Sequence, residues 1–196
     1  MRSFFYYLRC TAILLIVLSI SLSAGFYIRY RHERSAQLAL FKEFEARMAA
    51  NPELDHSYAG STQNFKSFLP GETIAILSVD RLDVKVTVRE GIDRDVLRIS
   101  AGHFPGTALP GEGNFCVAGH SSIVYTCLFN NLREAVVGDE VTVTTQTKTH
   151  IYDITEINVV NPEDTYVLNS STESMLTIVT CTNNGSNRLI ITARER

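Results

Sequence analysis

The 196-residue sequence contains no tryptophan, and it has only five prolines and four cysteines. Disordered and collagen-like chains contain fewer apolar residues or more proline than this chain, in which 45% of residues are hydrophobic. The metal-binding motifs CxxC and HExxH are absent, and the five histidines are scattered, which argues against a structural zinc site. The composition indicates a globular chain, and at about 150 residues per domain the length allows one domain with an appendage.

Basic residues are concentrated at the amino end. Residues 1–34 contain five arginines and one acidic residue, Glu33, whereas residues 35–196 contain 13 basic and 20 acidic residues, a net charge of −7. A body of this sign repels a phosphate backbone. We therefore expect no nucleic-acid partner.

Nineteen consecutive residues, 10–28, carry no charge, which is about enough for a helix to cross the hydrocarbon core of a bilayer. A cleaved signal peptide is the alternative, because the strongest apolar run, residues 12–20, is short and small residues such as Ser21 and Ala24 follow it. We favour an uncleaved membrane anchor at residues 1–30 with a short cytoplasmic end. Arginines flank the segment on both sides, so charge alone does not orient it.

Residues 31–70 are predicted to form a juxtamembrane helix and a linker, with the helix ending before Pro52. From residue 71 the pattern changes to short β-branched runs separated by turns, which is typical of a β-barrel or sandwich. Seven such runs are candidate strands: 73–77, 84–88, 114–118, 140–145, 149–154, 175–180 and 188–193. Residues 93–99 are predicted to form a short helix and 128–132 a helical turn, and residues 102–106 are rich in turn formers. One compact β-barrel over residues 71–196 is the simplest interpretation.

Cys181 is the cysteine best placed for chemistry, because it ends a strand exactly where a loop begins and its sulfur is expected at the rim of the sheet. If the last two runs pair as a hairpin, Arg188 lies across from Cys181, with the two backbones about 5 Å apart. A cation there can lower a thiol pKa or hold an oxyanion. Cys116 is either a core residue or a disulfide partner of Cys127, and Cys10 is an apolar residue of the anchor.

Thiol catalysis also requires a histidine, and His120 follows another predicted strand. Strand ends at one rim of a barrel converge, so we expect His120 near Cys181. His103 and His150 are competitors by residue type, but one lies in a turn-rich stretch and the other within a strand. The serines at 121 and 122 lack the GxSxG turn of a hydrolase nucleophile.

These residues resemble the signature of the sortase family. The resemblance rests on GNFCVAGH ending at His120, TIVTC ending at Cys181, and Arg188 after six further residues. Ile178 replaces the leucine of the usual TLxTC box. Segments 77–91, 103–111 and 161–165 are also similar to sortases, so the resemblance covers residues 72–194.

The resemblance implies a mainly β fold: an eight-stranded sortase-type barrel with short helices, preceded by a transmembrane helix. It implies a cysteine transpeptidase on the outer face of the cytoplasmic membrane of a Gram-positive bacterium, single-pass with the catalytic domain outside. Cys181 would attack a carbonyl in an LPxTG-like motif, His120 would protonate the departing amine, and Arg188 would stabilise the oxyanion with support from Thr180 and nearby backbone amides. No cofactor is expected; some sortases use Ca²⁺, but no acidic cluster indicates a metal site here.

The implied donors are surface proteins with an LPxTG-like sorting signal, and the implied acceptor is an amine of a peptidoglycan precursor. A pilin-polymerising sortase, which uses a pilin amine, is the first alternative. A tethered binding module in which Cys181 is structural is the second. The sequence lacks an Asp-Pro-aromatic lid motif and a hydrophobic tail, and residues 155–174 are too few for the long helix of B-type enzymes, which favours a compact enzyme of the D or E kind.

Overall fold

The computed structural model describes residues 2–50, 68–121, 128–182 and 185–196. Helix α1 (Arg2–Ala50) runs without a break through the predicted anchor and the predicted juxtamembrane helix. Among the described residues it is the one helix long and apolar enough to cross a membrane, and its most apolar stretch of 18 residues has a mean hydropathy of 2.2. Apolar side chains in this stretch are open to the surroundings, for example Leu14, which is 67% exposed. Most of the predicted linker, residues 51–67, lies outside the described residues.

The carboxyl-terminal part of α1 packs against the barrel. Phe44 is only 1% exposed. Lys85 Nζ lies 3.9 Å from a carboxylate oxygen of Glu45 and 5.6 Å from the centre of the Phe41 ring. The buried Phe44 side chain and the Lys85 cation therefore hold this end of the helix to the barrel surface.

Eight strands form one closed barrel, in the order β1-β2-β3-β4-β7-β8-β6-β5. Their bounds are β1 Thr73–Val79, β2 Val84–Glu90, β3 Ala101–His103, β4 Asn114–Ala118, β5 Glu140–Thr144, β6 Thr149–Val160, β7 Met175–Cys181 and β8 Arg188–Glu195. The β2–β3 and β4–β7 pairs are parallel and the other pairs are antiparallel. Closure pairs every strand with a neighbour on each side, although β6 extends beyond its pairing with β5.

Short helical segments lie between the strands. Helix α2 (Arg94–Leu97) begins after Asp93, whose carboxylate accepts from the N–H groups of Asp95 and Val96, the usual way of satisfying a helix start. Single 3₁₀ turns follow β1 (Asp80–Leu82), precede β5 (Asn131–Glu134) and precede β7 (Thr165–Leu168). The predicted short helix at 93–99 is thus present, and the predicted turn at 128–132 lies close to the second 3₁₀ turn.

The barrel interior is filled by one apolar cluster contributed by all eight strands. Leu77, Val86, Phe115, Ile178 and Ile191 are among its members, each at most 1% exposed. Their spacing follows the two-residue period of strands, because alternate side chains point to opposite faces of a sheet. This alternation fixes which side chains remain on the outer face.

All seven candidate strands are present, with small differences in their ends. The eighth strand, β3, falls where the sequence indicates only turns, and His103 is its last residue. Three residues are too short for an alternating pattern to stand out, so this prediction was wrong. Strand β6 continues six residues beyond the predicted end, through an irregularity between Ile154 and Glu156.

Candidate active site

The parallel pairing of β4 with β7 brings His120 and Cys181 to neighbouring strand ends. Ala118 of β4 lies opposite Val179 of β7, and both chains continue two residues in the same direction to His120 and Cys181. The Gly119 N–H donates to the Val179 carbonyl at 3.1 Å, so pairing extends one residue beyond β4. The predicted convergence of the two strand ends follows from this register.

Side-chain alternation places these residues on the outer face of the barrel. Leu176 and Ile178 of β7 point into the core, so Cys181 points outward. Phe115 and Val117 of β4 are likewise core residues, and the same parity continued past the strand end puts His120 outside. Cys181 has a free thiol and is half-buried. His120 is half-buried as well.

Arg188 lies directly across from Cys181 in the β7–β8 pair. Because paired residues in antiparallel strands share a face, with Cβ atoms about 4.5–5.5 Å apart, both side chains are on the outer face. The Arg188 guanidinium donates weakly to its own loop, with Nη1 3.3 Å from the Gly185 carbonyl and 3.4 Å from the Asn187 carbonyl. These long bonds leave the guanidinium able to turn towards an anion next to Cys181.

The environment of His120 favours its neutral form. Partial burial lowers the pKa of the His120 imidazole below its ordinary value of 6.5, because desolvation penalises the charged ring. Its carbonyl accepts from the Phe129 N–H at 3.1 Å. The Phe129 ring also packs against Gly119, where a Cβ would overlap it. A small residue is therefore required immediately before His120.

Thr180 lies beneath this outer face. Its side chain is 2% exposed, and its hydroxyl donates to the Gly119 carbonyl at 2.7 Å. The bond ties the residue before Cys181 to the residue before His120. Any support from this hydroxyl acts through the junction between the two strands, because the hydroxyl itself is covered.

The other candidate cysteines and histidines have structural surroundings. Cys116 is completely buried with a free thiol, and burial raises its pKa to about 11. Its proposed partner Cys127 lies outside the described residues. His103 is buried against Glu90 (2.6 Å) and stacks on Phe115, and His150 is buried against Glu195 (2.8 Å).

Sequence patterns give no role to Ser121 or Arg133, yet both belong to this junction. The Ser121 hydroxyl donates to the Cys181 carbonyl at 2.7 Å, and Arg133 Nη2 donates to the Ser121 carbonyl at 2.8 Å. The position of Ser121 directly after His120 is the one signal that could have singled it out. Across residues 2–50, 68–121, 128–182 and 185–196, no group of three His, Cys, Asp or Glu side chains is placed to hold a metal ion.

Comparison with known proteins agrees with this arrangement of strands. The family model of the sortase domain matches residues 77–196, more than half of the chain. The chain belongs to the sortase family. The match covers every strand of the barrel except part of β1.

Individual sortases show the same relationship. This sortase is 32% identical to sortase SrtE1 of Streptomyces coelicolor over 155 residues, which cover 70% of the present chain. It is 29% identical to sortase A of Streptococcus agalactiae over 125 residues, which cover 61% of the present chain. The matches cover 44% and 51% of those two relatives, so the chain spans about half of their length. A solved sortase D5 transpeptidase of Clostridium perfringens superposes with a TM-score of 0.69 and 36% identity, covering 83% of this sortase and 99% of that chain.

Proposed function

We propose that this sortase is a cysteine transpeptidase with Cys181 as nucleophile, His120 as general acid and base, and Arg188 as oxyanion donor. The observation that carries the proposal is the placement of the three residues on one outer face, at the ends of β4 and β7 and the start of β8. A nucleophile, a proton carrier and a cation are the three groups that acyl transfer through a thioester requires. Thr180 supports them by fixing the strand junction.

The reaction proceeds through two substitutions at one carbonyl carbon. The Cys181 thiol gives its proton to His120 as the sulfur attacks that carbon, the oxyanion forms next to Arg188, and the C–N bond breaks as His120 passes this proton to the leaving amine. An acceptor amine then attacks the thioester and gives a proton to His120, the C–S bond breaks, and the departing thiolate takes that proton from His120. The products are a new amide and a regenerated thiol, so no oxidant or cofactor is consumed.

The donors we propose are surface proteins carrying an LPxTG-like sorting signal, and the acceptor is an amine of a peptidoglycan precursor. We also propose that α1 crosses the cytoplasmic membrane once, with the barrel on the outer side. The apolar part of α1 and membership of the sortase family support this location. Similarity to SrtE1 and to the sortase D5 enzyme supports a compact enzyme of the D or E kind.

Intact-mass analysis of the full chain in detergent, mixed with LPxTG-like peptides, tests the nucleophile. The wild type is expected to gain the mass of the amino-terminal peptide fragment. Cys181→Ala should gain nothing, and Cys116→Ala, which removes a buried thiol on the neighbouring strand, should react like the wild type. An adduct that persists in Cys181→Ala would overturn the assignment.

A second arm of this experiment identifies the acceptor. Pre-formed acyl-enzyme is mixed with either a peptidoglycan-type amine or a lysine-containing pilin peptide, and the amide product is identified by mass. Faster transfer to the peptidoglycan-type amine is expected. Transfer to the pilin lysine alone would instead establish the pilin-polymerising alternative.

A further inference from the structure

Strand β4 leaves the sheet beside Cys181, and side chains continue the hydrogen-bond ladder there. In the parallel β4–β7 pair, the Gly119 N–H donates to the Val179 carbonyl. The next donor on the same strand would be the Ser121 N–H, pointing to the Cys181 carbonyl, because rungs in a parallel ladder recur every two residues. The Ser121 hydroxyl donates to that carbonyl instead, at 2.7 Å.

Arg133 supplies the next hydrogen bond along this edge of the sheet. In an ideal ladder the Ser121 carbonyl would accept from a backbone N–H beyond Cys181. Arg133 Nη2 donates to it at 2.8 Å and also lies 3.1 Å from the Ser121 hydroxyl oxygen. Ser121 is 3% exposed, so the accepting side of these bonds is buried, while Arg133 approaches from the exposed side. A buried hydroxyl with a donor and an acceptor on either side has one preferred orientation.

The turn that carries Arg133 is itself fastened to the barrel. The Asn131 side chain donates to the Leu82 carbonyl at 2.9 Å, and Arg81 Nη2 donates to the Glu134 carbonyl at 2.6 Å. Arg133 therefore reaches Ser121 from a turn that is held to the β1–β2 turn on both sides. Arg133 is exposed, and this fixed turn together with its two bonds to Ser121 holds its guanidinium in place.

His120 lies between two residues that are both tied to the strand carrying Cys181. Gly119 is bonded to Val179 and Thr180, and Ser121 is bonded to Cys181. The backbone of His120 cannot move away from Cys181 without breaking one of these bonds. A shift of about 1 Å between reacting groups is enough to lower a rate about 100-fold.

We infer that Ser121 is a positioning residue that sets the separation of His120 and Cys181, with Arg133 as its support. Ser121 is buried behind the outer face and acts through the Cys181 backbone. The inference rests on the proposed function, since the separation matters only if both side chains take part in the reaction. It predicts that loss of the hydroxyl lowers the rate of acylation and leaves peptide binding nearly unchanged.

The test compares Ser121→Ala with Ser121→Thr and with a matched control, Ser100→Ala. Ser100 is also buried and its hydroxyl donates to a backbone carbonyl, that of Val96, at 2.7 Å, but it lies between α2 and β3, outside the proposed site. Single-turnover acylation of the full chain by an LPxTG-like peptide gives the rate, and its concentration dependence gives the apparent affinity. Ser121→Ala should lower the maximal rate about 10–100-fold with less than a twofold change in affinity.

The remaining variants separate positioning from folding. Ser121→Thr keeps the hydroxyl and should recover most of the rate, and Arg133→Met should lose part of it. Ser100→Ala should lose a similar amount of thermal stability while reacting at the wild-type rate. A wild-type rate in Ser121→Ala, or an equal loss of rate in Ser100→Ala, would overturn the inference.

A second readout does not depend on the proposed substrate. The rate of Cys181 alkylation by iodoacetamide is measured against pH, with His120→Gln marking the part of the profile that depends on His120. Ser121→Ala should reduce the His120-dependent part of the alkylation rate, and Ser100→Ala should leave it unchanged. If the pH profiles of Ser121→Ala and the wild type superimpose, the positioning role is contradicted. If wild-type protein forms no adduct with any peptide, the substrate proposal fails while this readout still decides the role of Ser121.

Discussion

Two cysteines on neighbouring strands differ sharply in their surroundings. Cys116 on β4 has no exposed surface, and its pKa of about 11 follows from burial of the thiol. Cys181 ends β7 on the outer face and is half-buried. Because the thiolate is the nucleophile, position on the strand decides which of these two thiols is available for chemistry.

Brief alkylation of the native chain at pH 8 should therefore modify Cys181 and spare Cys116. With a pKa of about 11, about one Cys116 thiol in a thousand is ionised at that pH, and burial excludes the reagent as well. Peptide mapping by mass spectrometry measures both sites in one sample. Labelling of Cys116 should appear only in urea; equal labelling of both residues in the native chain would contradict the buried position of Cys116.

At the scale of elements, the connection between β4 and β5 is held to the β1–β2 turn by an ion pair. Arg81 donates from Nε and Nη2 to the two carboxylate oxygens of Asp139, at 2.5 and 2.6 Å, and Asp139 also accepts from the Val136 N–H. The hydrogen bond from Arg81 is the main cause of the lowered pKa of Asp139. This pair fixes the far end of the connection that carries Arg133.

The lowered pKa of Asp139 makes a stability contribution that depends on pH. A carboxylate whose pKa is lower in the folded state stabilises the fold above its ordinary value of 3.8, and this contribution is lost as the pH falls through the folded-state pKa. Asp139→Asn should lower the urea midpoint at pH 7, and its difference from the wild type should shrink as the pH falls below 3.8 and through the lower folded-state pKa.

Asp153→Asn is the matched control for this ion pair. Asp153 also receives two bonds from one arginine, Arg196, but both side chains are exposed, and exposed pairs contribute little. Its effect on the midpoint at pH 7 should be the smaller of the two. Equal effects would show that the Arg81–Asp139 pair does not hold the connection.

The sequence predicts most of this fold because seven strands have clear β-branched runs bounded by turns. It also predicts the approach of His120 to Cys181, since each follows the end of a strand and both belong to recognisable motifs. Strand β3 has too few residues to show a period. The bond from Ser121 to Cys181 depends on where β4 leaves the sheet, and its support comes from Arg133, twelve residues away, so no local pattern encodes it.

At the scale of the whole molecule, α1 joins two environments. Its first half is apolar and open to the surroundings, as suits lipid, while its second half packs on the barrel through Phe44. Leu18, which is 52% exposed, lies near the centre of the apolar part, and Leu38, which is 55% exposed, lies on the same helix beyond it. The two leucines therefore allow the same substitution to be compared inside and outside the proposed membrane segment.

Leu18→Arg should move the protein from the membrane fraction towards the soluble fraction, whereas Leu38→Arg should not. An arginine near the centre of a membrane helix costs about 2.5–3.5 kcal/mol, and there is no such cost outside the bilayer. Fractionation of expressing cells followed by intact-mass analysis measures location and chain length together. A mature chain beginning near residue 25 would instead support the cleaved signal peptide.

The unbroken course of α1 also determines how far the barrel lies from the membrane. Contact with the barrel begins directly beyond residues 10–28, because Glu33 is only 4% exposed and Tyr30, Arg34 and Gln37 line a pocket together with residues of the β1–β2 turn and β2. With residues 10–28 in the bilayer, as we propose, the barrel therefore lies next to the lipid surface. On that proposal, a bond presented far from the lipid surface stays out of reach, whatever its sequence.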